Sequence, residues 1–168
     1  MSATEPLPPD PSWPRSSQRP FPRYRFVPGR TPHPRLDPDG HSRGAPEPIP
    51  QKLAPDAWRS SESYLYAIDL YNFAYWWEAH EELEAFWNGA GRDGREAAFF
   101  QGLIQISASN LKLFMGSNAA ASALAERGLS RLSGLGIYMG VDVVRLDAEV
   151  RAHLAGERPL PALIALAD

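Results

Sequence analysis

The residues best placed to do chemistry lie in one run, Trp76-Trp-Glu-Ala-His-Glu-Glu-Leu-Glu-Ala-Phe-Trp87. Within it His80, Glu81 and Glu84 have the pattern His-Glu-x-x-Glu. At about 100° per residue, Trp76, Trp87, His80, Phe73, Glu84 and Trp77 share one helical arc roughly 100° wide. Ala79, Leu83 and Phe86 extend that arc on the side of Trp76, Glu78, Glu82 and Ala85 lie opposite, and Glu81 is on the margin. An imidazole with a carboxylate one turn away can act as a base whose tautomer the carboxylate fixes. His80, Glu84 and Glu81 are therefore the candidate catalytic residues.

Metal chemistry is the weaker reading of the same pattern. Zinc proteases use His-Glu-x-x-His, with two imidazoles as ligands and the glutamate as base. Here Glu84 would replace the second imidazole and Glu81 would turn inward as base. A third protein ligand is then needed, and no second His or Cys stands nearby. A di-iron bundle needs Glu-x-x-His pairs on two helices. Trp77 occupies the position three before His80, and the next helix has no carboxylate after Glu96. No metal ligands are assigned, and a divalent cation remains an open cofactor.

Groups to hold a ligand stand on the following helix, where Gln101, Gln105 and Lys112 form a polar stripe on an otherwise apolar surface. Trp76, Trp77 and Trp87 are expected to wall an apolar pocket for a planar or sugar-like small molecule. Two readings stay open. In one, a buried His/Glu/Gln site binds or hydrolyses a small molecule. In the other, His80, Glu84 and Gln105 satisfy one another as a core hydrogen-bond network in a structural or interaction module, with a homodimer as the partner.

The elements that position these residues are helical. Leu65, Ile68 and Leu70 with Tyr64 and Tyr71 give a first amphipathic helix ending near Asn72. The motif helix, Phe73 to Trp87, stops at Asn88-Gly-Ala-Gly91. A third helix, Arg95 to Met115, is apolar nearly all round and so belongs at the centre of a bundle. Its Gly102, like Gly128 on the next helix, lets a neighbour approach closely. A fourth helix spans about Ala119 to Leu132 and a fifth about Val143 to Leu154, where Glu149 and His153 make a surface i,i+4 pair. The tail after Pro159 is expected to dock on the core. No strand pattern is evident. The expected class is all-α, about five helices in a mostly antiparallel bundle.

Residues 1–50 are of another kind, holding 14 of the 17 prolines and a net charge of +2 against −5 for the rest. Residues 1–58 are expected to form a Pro-rich arm, disordered over 1–20 and extended over 21–50, where Phe21, Tyr24, Phe26 and Val27 can pack on the core. Residues 59–168 form the bundle domain. His33 and His41 could fold over a site or merely cap turns. Asp37-x-Asp39-Gly40 fails as a calcium loop, because Pro48 stands where the twelfth-position glutamate is required. The acidic bundle lacks the basic stripe of a nucleic-acid-binding face. Without cysteine there is no thiol chemistry, and no apolar run is long enough for a membrane span or signal peptide. A cytoplasmic protein is expected.

Asn72, Glu78-Ala-His-Glu81, Glu84 and Trp87, followed by Phe100-Gln-Gly-Leu-Ile-Gln105 and Ala108, resemble the bacterial and archaeal "domain of unknown function 309" family. The resemblance runs from about Ser60 to Leu132 and leaves out the arm. It implies a small all-α bundle with a site on these two helices, and it implies no reaction. Ala74 departs from the family pattern, which often has glycine there.

Overall fold

The computed structural model describes residues 3–168. Ser61 starts the first helix, α1 (Glu62–Asn72), its hydroxyl accepting from the backbone N–H of Tyr64. The chain then turns through Ala74, whose φ of 66° lies in the left-handed region. There a Cβ costs about 1–2 kcal/mol, so the turn would suit glycine better than the alanine it holds. The turn closes with Tyr75 N–H donating to Leu70 O at 2.8 Å. The motif helix, α2, is Trp76–Ala90, three residues later at each end than the spacing predicts. The long apolar helix α3 follows (Arg95–Phe114), then α4 (Asn118–Leu132) and α5 (Val143–Leu154).

α3 packs along both α2 and α4, as its all-round apolarity requires. Its Gly102 is what allows α4 so near: a Cβ there would lie 2.6 Å from Leu132 Cγ. Tyr64, Phe86, Phe99 and Phe100 fill the centre, with the rings of Phe86 and Phe100 stacked 5.2 Å apart. The all-α class holds. One detail is corrected: a two-stranded antiparallel hairpin joins α4 to α5, with β1 (Ile137–Tyr138) paired to β2 (Val141–Asp142). Two-residue strands are too short to leave an alternating pattern in the sequence. A 3-10 helix, Pro55–Ser60, also precedes α1 and buries Trp58.

Among the described residues, segments near each end of the chain lie on the bundle. Asn72 Nδ2 donates to Ile164 O, and Ile164 N–H donates back to Asn72 Oδ1, each at 2.8 Å. At the other end, the disorder expected over 1–20 gives way to a docked segment among the described residues. Asp69 is fully buried on α1 and accepts from Arg15 Nε at 2.9 Å, Ser16 N–H at 2.8 Å and the Ser17 N–H and hydroxyl at 2.9 and 2.6 Å. A buried carboxylate needs donors, and the arm supplies them. Phe21 extends the dock, stacking 4.8 Å from Tyr75.

Candidate functional site

α2 carries the candidate catalytic residues on a face only partly covered. His80 Nε2 stands 3.2 Å from Glu84 Oε1, and Nδ1 stands 3.7 Å from Glu81 Oε1. Donor atoms of His80, Glu81 and Glu84 all lie within 4.8 Å of one another. The side chains of His80 and Glu84 are 28% and 40% exposed, so the pair is open to solvent, whereas its angular position suggested burial. Partial burial nonetheless raises the Glu81 pKa, with His80 opposing the shift and Glu84 adding to it.

The reverse correction applies to Glu78. The angle places it opposite the core, on the solvated side, yet it is 5% exposed. The arm covers that side of the helix. Glu78 Oε1 accepts from Phe26 N–H at 2.8 Å and lies 2.7 Å from His41 Nε2, while Glu78 Oε2 is buried without a partner. His41 Nδ1 is 2.8 Å from the Ser42 hydroxyl. Further along, Gln51 N–H donates to Ala85 O at 2.9 Å, and this close approach buries Ala85. α2 is thus held between bundle and arm, leaving the strip of His80, Glu81 and Glu84 half-open.

The candidate ligand-binding residues do not surround that strip as one shell. Trp76 is buried beside Asn110 and Phe114 at one end of the bundle. Trp77 packs edge-on against Phe26 and His33 of the arm, with centroids 5.0 and 5.9 Å away. Trp87 is half-buried, and its indole N–H has no partner. On α3, Gln101 is half-buried and Lys112 is exposed. Gln105 has its Cβ against Gly128 of α4 and its Oε1 buried without a partner. Among the described residues no hydrogen bond joins Gln101, Gln105 or Lys112 to His80, Glu81 or Glu84.

A small cavity of about 110 Å³ opens where arm and α2 meet, lined in part by His41, Ser42, Trp77, Glu78 and Glu81. Glu81 thus faces both His80 and this cavity. Of the two arm histidines, His33 caps a turn, its Nδ1 accepting from the N–H groups of Arg35 and Leu36 at 3.2 Å each. His41 is the one that folds onto the motif helix.

Asp69 and Glu78 were the polar residues that sequence reasoning missed. Asp69 had a signal: a carboxylate inside the apolar run Ala67-Ile-Asp-Leu-Tyr71 must find donors. Glu78 had none, because its burial depends on an arm more than 30 residues away in sequence.

Comparison with known families bears on the helices that hold these groups. Residues 64–124 match the family described as "Domain of unknown function (DUF309)". The match covers 61 of the chain's 168 residues. The DUF309 stretch takes in most of α1, all of α2 and α3 and the first half of α4, and therefore His80, Glu81, Glu84, Gln101 and Gln105. His41, the Arg15–Ser17 dock, the hairpin and α5 lie outside it. No curated protein and no solved structure compared with the chain gives a match. No helix is long and apolar enough to cross a membrane among the described residues.

Proposed function

We propose that the chain binds a small molecule on the half-open face of α2 and hydrolyses it by general acid–base catalysis, with His80 as the base. The observation that carries this reading is the accessible imidazole standing between two carboxylates, 3.2 Å from Glu84 and 3.7 Å from Glu81. In a core network these groups would be closed off and mutually satisfied. Here they face solvent, and Gln105 takes no part.

The roles follow from the distances. Glu84 Oε1, 3.2 Å from Nε2, is the proposed orienter of the imidazole, favouring the tautomer with its hydrogen on Nε2 and its lone pair on Nδ1. The Glu81 separation is too long for a hydrogen bond. With its pKa raised by burial, Glu81 suits proton delivery to a leaving group. Gln101, Trp77 and Trp87 are the proposed ligand contacts along the neighbouring surface.

A second reading rests on the same cluster. One nitrogen and two carboxylate oxygens within 4.8 Å suit a borderline divalent cation, with positions left for water. Such an ion would supply an activated water at neutral pH.

A panel of chromogenic esters, amides and phosphoesters tests the proposal, assayed with and without added zinc or manganese. At least one should be hydrolysed by the parent and slowed about 10²- to 10⁴-fold in His80→Ala. Equal rates in parent and variant across the panel, or no hydrolysis at all, would leave the cluster a structural feature.

A further inference from the structure

A second set of groups able to do chemistry lies where the arm crosses α2, apart from His80. His41 Nδ1 stands 2.8 Å from the Ser42 hydroxyl, and Nε2 stands 2.7 Å from Glu78 Oε1. The same Glu78 oxygen accepts from Phe26 N–H at 2.8 Å, which holds the carboxylate in place. A carboxylate can only accept, so the imidazole hydrogen sits on Nε2 and the Nδ1 lone pair points at the Ser42 hydroxyl. A hydroxyl on a base whose far nitrogen is oriented by a carboxylate is the arrangement that activates a serine nucleophile. The ring is reversed relative to the serine proteases, where Nε2 meets the serine. Either nitrogen can take the proton.

The loop that carries the pair is held on several sides. Ser42 N–H donates to Pro34 O at 2.9 Å and His41 N–H to the Tyr24 hydroxyl at 3.1 Å, and the Tyr24 and His41 rings lie 4.6 Å apart. The His41 side chain is 4% exposed, whereas Ser42 is half-buried. Both line the cavity of about 110 Å³ between arm and α2. That is well below the roughly 300–1,000 Å³ of drug-sized pockets, so it has room for a short acyl group only. Arg19 is the one cation on its wall, against Glu78, Glu81 and Glu82, and it is paired with Glu82 at 3.0 Å. This acidic balance disfavours an anionic substrate.

We infer that Ser42 is the nucleophile of a second hydrolytic site, with His41 as its base and Glu78 as a positioning residue, acting on esters of short, uncharged acyl groups. The Ser42 oxygen bonds to the ester carbonyl carbon as its proton passes to His41 Nδ1. The tetrahedral oxyanion then collapses, the C–O bond to the alcohol breaks, and the alcohol leaves with the proton from Nδ1. Water repeats the sequence on acyl-Ser42. Its proton goes to Nδ1 and then to the Ser42 oxygen as the carboxylic acid is released. Glu78 stabilises the imidazolium formed in each half.

Brief exposure of the full chain to p-nitrophenyl acetate, followed by acid quench and peptide mapping, tests this. Ser42 should carry an acetyl group in the folded chain and none in chain unfolded in urea. That measurement decides without any variant. Ser42→Ala should lose the adduct and the burst of nitrophenolate that accompanies it. His80→Ala should keep both, because general-base hydrolysis at His80 forms no acyl-enzyme, and the two sites are thereby told apart. Glu78→Gln keeps an acceptor for Phe26 N–H, and should slow acylation about 10²-fold or more with KM little changed. The p-nitrophenyl esters of octanoate and of succinate, too long and negatively charged respectively, should leave Ser42 unmodified. No adduct on Ser42 in the folded chain, equal labelling after unfolding, equal labelling by the three esters, or full-rate acylation in a folded Glu78→Gln would overturn the inference.

Discussion

His41 Nε2 and Glu78 Oε1 stand 2.7 Å apart with both side chains almost wholly buried, and this pair joins the Pro-rich arm to the motif helix. Glu78 also accepts from Phe26 N–H, so its loss leaves two buried arm groups without a partner. Removing one member of a buried pair costs about 3–5 kcal/mol. Glu78→Ala should show that loss in urea unfolding, and trypsin should then cut sooner at Arg23, Arg25 and Arg30. An unchanged midpoint with an equally protected arm would mean that the arm is held elsewhere.

Asp69 provides the independent test of the arm's other dock. Asp69→Asn replaces one acceptor oxygen by an amide while four donors still point at the site. The segment around Ser16 and Ser17 should detach, seen as faster hydrogen exchange of those two amides. Exchange in α3, on the far side of the core, should change much less. Uniform loss of protection would show instead that Asp69 supports the whole bundle.

Close packing depends on two glycines. A Cβ at Gly102 would lie 2.6 Å from Leu132 Cγ, and one at Gly89 would lie 1.8 Å from Gln51 O. Gly102→Ala should cost about 1–3 kcal/mol through overpacking of α3 on α4. Gly89→Ala should cost a similar amount and displace the arm from α2. Gly89 therefore serves contact, and the C-cap that needs a positive φ is Gly91, with φ of 80°.

The Glu81 carboxyl gives a pH signature with a fixed sign. Burial raises its pKa above the ordinary 4.5, so the folded chain holds this proton more tightly than the unfolded one. That contribution is complete below the ordinary value and is lost as pH rises through the folded value. Glu81→Gln keeps the shape without the charge, so it should gain on the parent in melting temperature between pH 4 and pH 7. The gain should stay under about 1 kcal/mol, because the group is partly exposed. A growing deficit over the same range would contradict the assignment.

The helices were legible because local signals agreed with packing. Gly91 after α2 and the unbroken apolarity of α3 each marked an element that the structure contains. The facing of α2 was not legible. Angular placement treats a helix as having one buried side, and α2 has two: Leu83 and Phe86 meet the bundle, while Glu78 and Ala85 meet the arm. His80 and Glu84 were consequently assigned to the interior when they occupy the strip between. The arm was hard to read for a related reason. Prolines exclude regular hydrogen bonding, but a chain without helix or strand can still be ordered by a buried carboxylate such as Asp69.

The central claim is that His80, Glu81 and Glu84 form an open site and not an internal brace. The most direct measurement is the unfolding free energy of His80→Ala, taken beside the parent in urea at pH 7. An exposed i,i+4 pair contributes about 0.3–0.5 kcal/mol, so the variant should lose under about 1 kcal/mol and keep its helical content. A loss of about 3–5 kcal/mol, the cost of breaking a buried pair, would contradict the account and make the cluster part of the core.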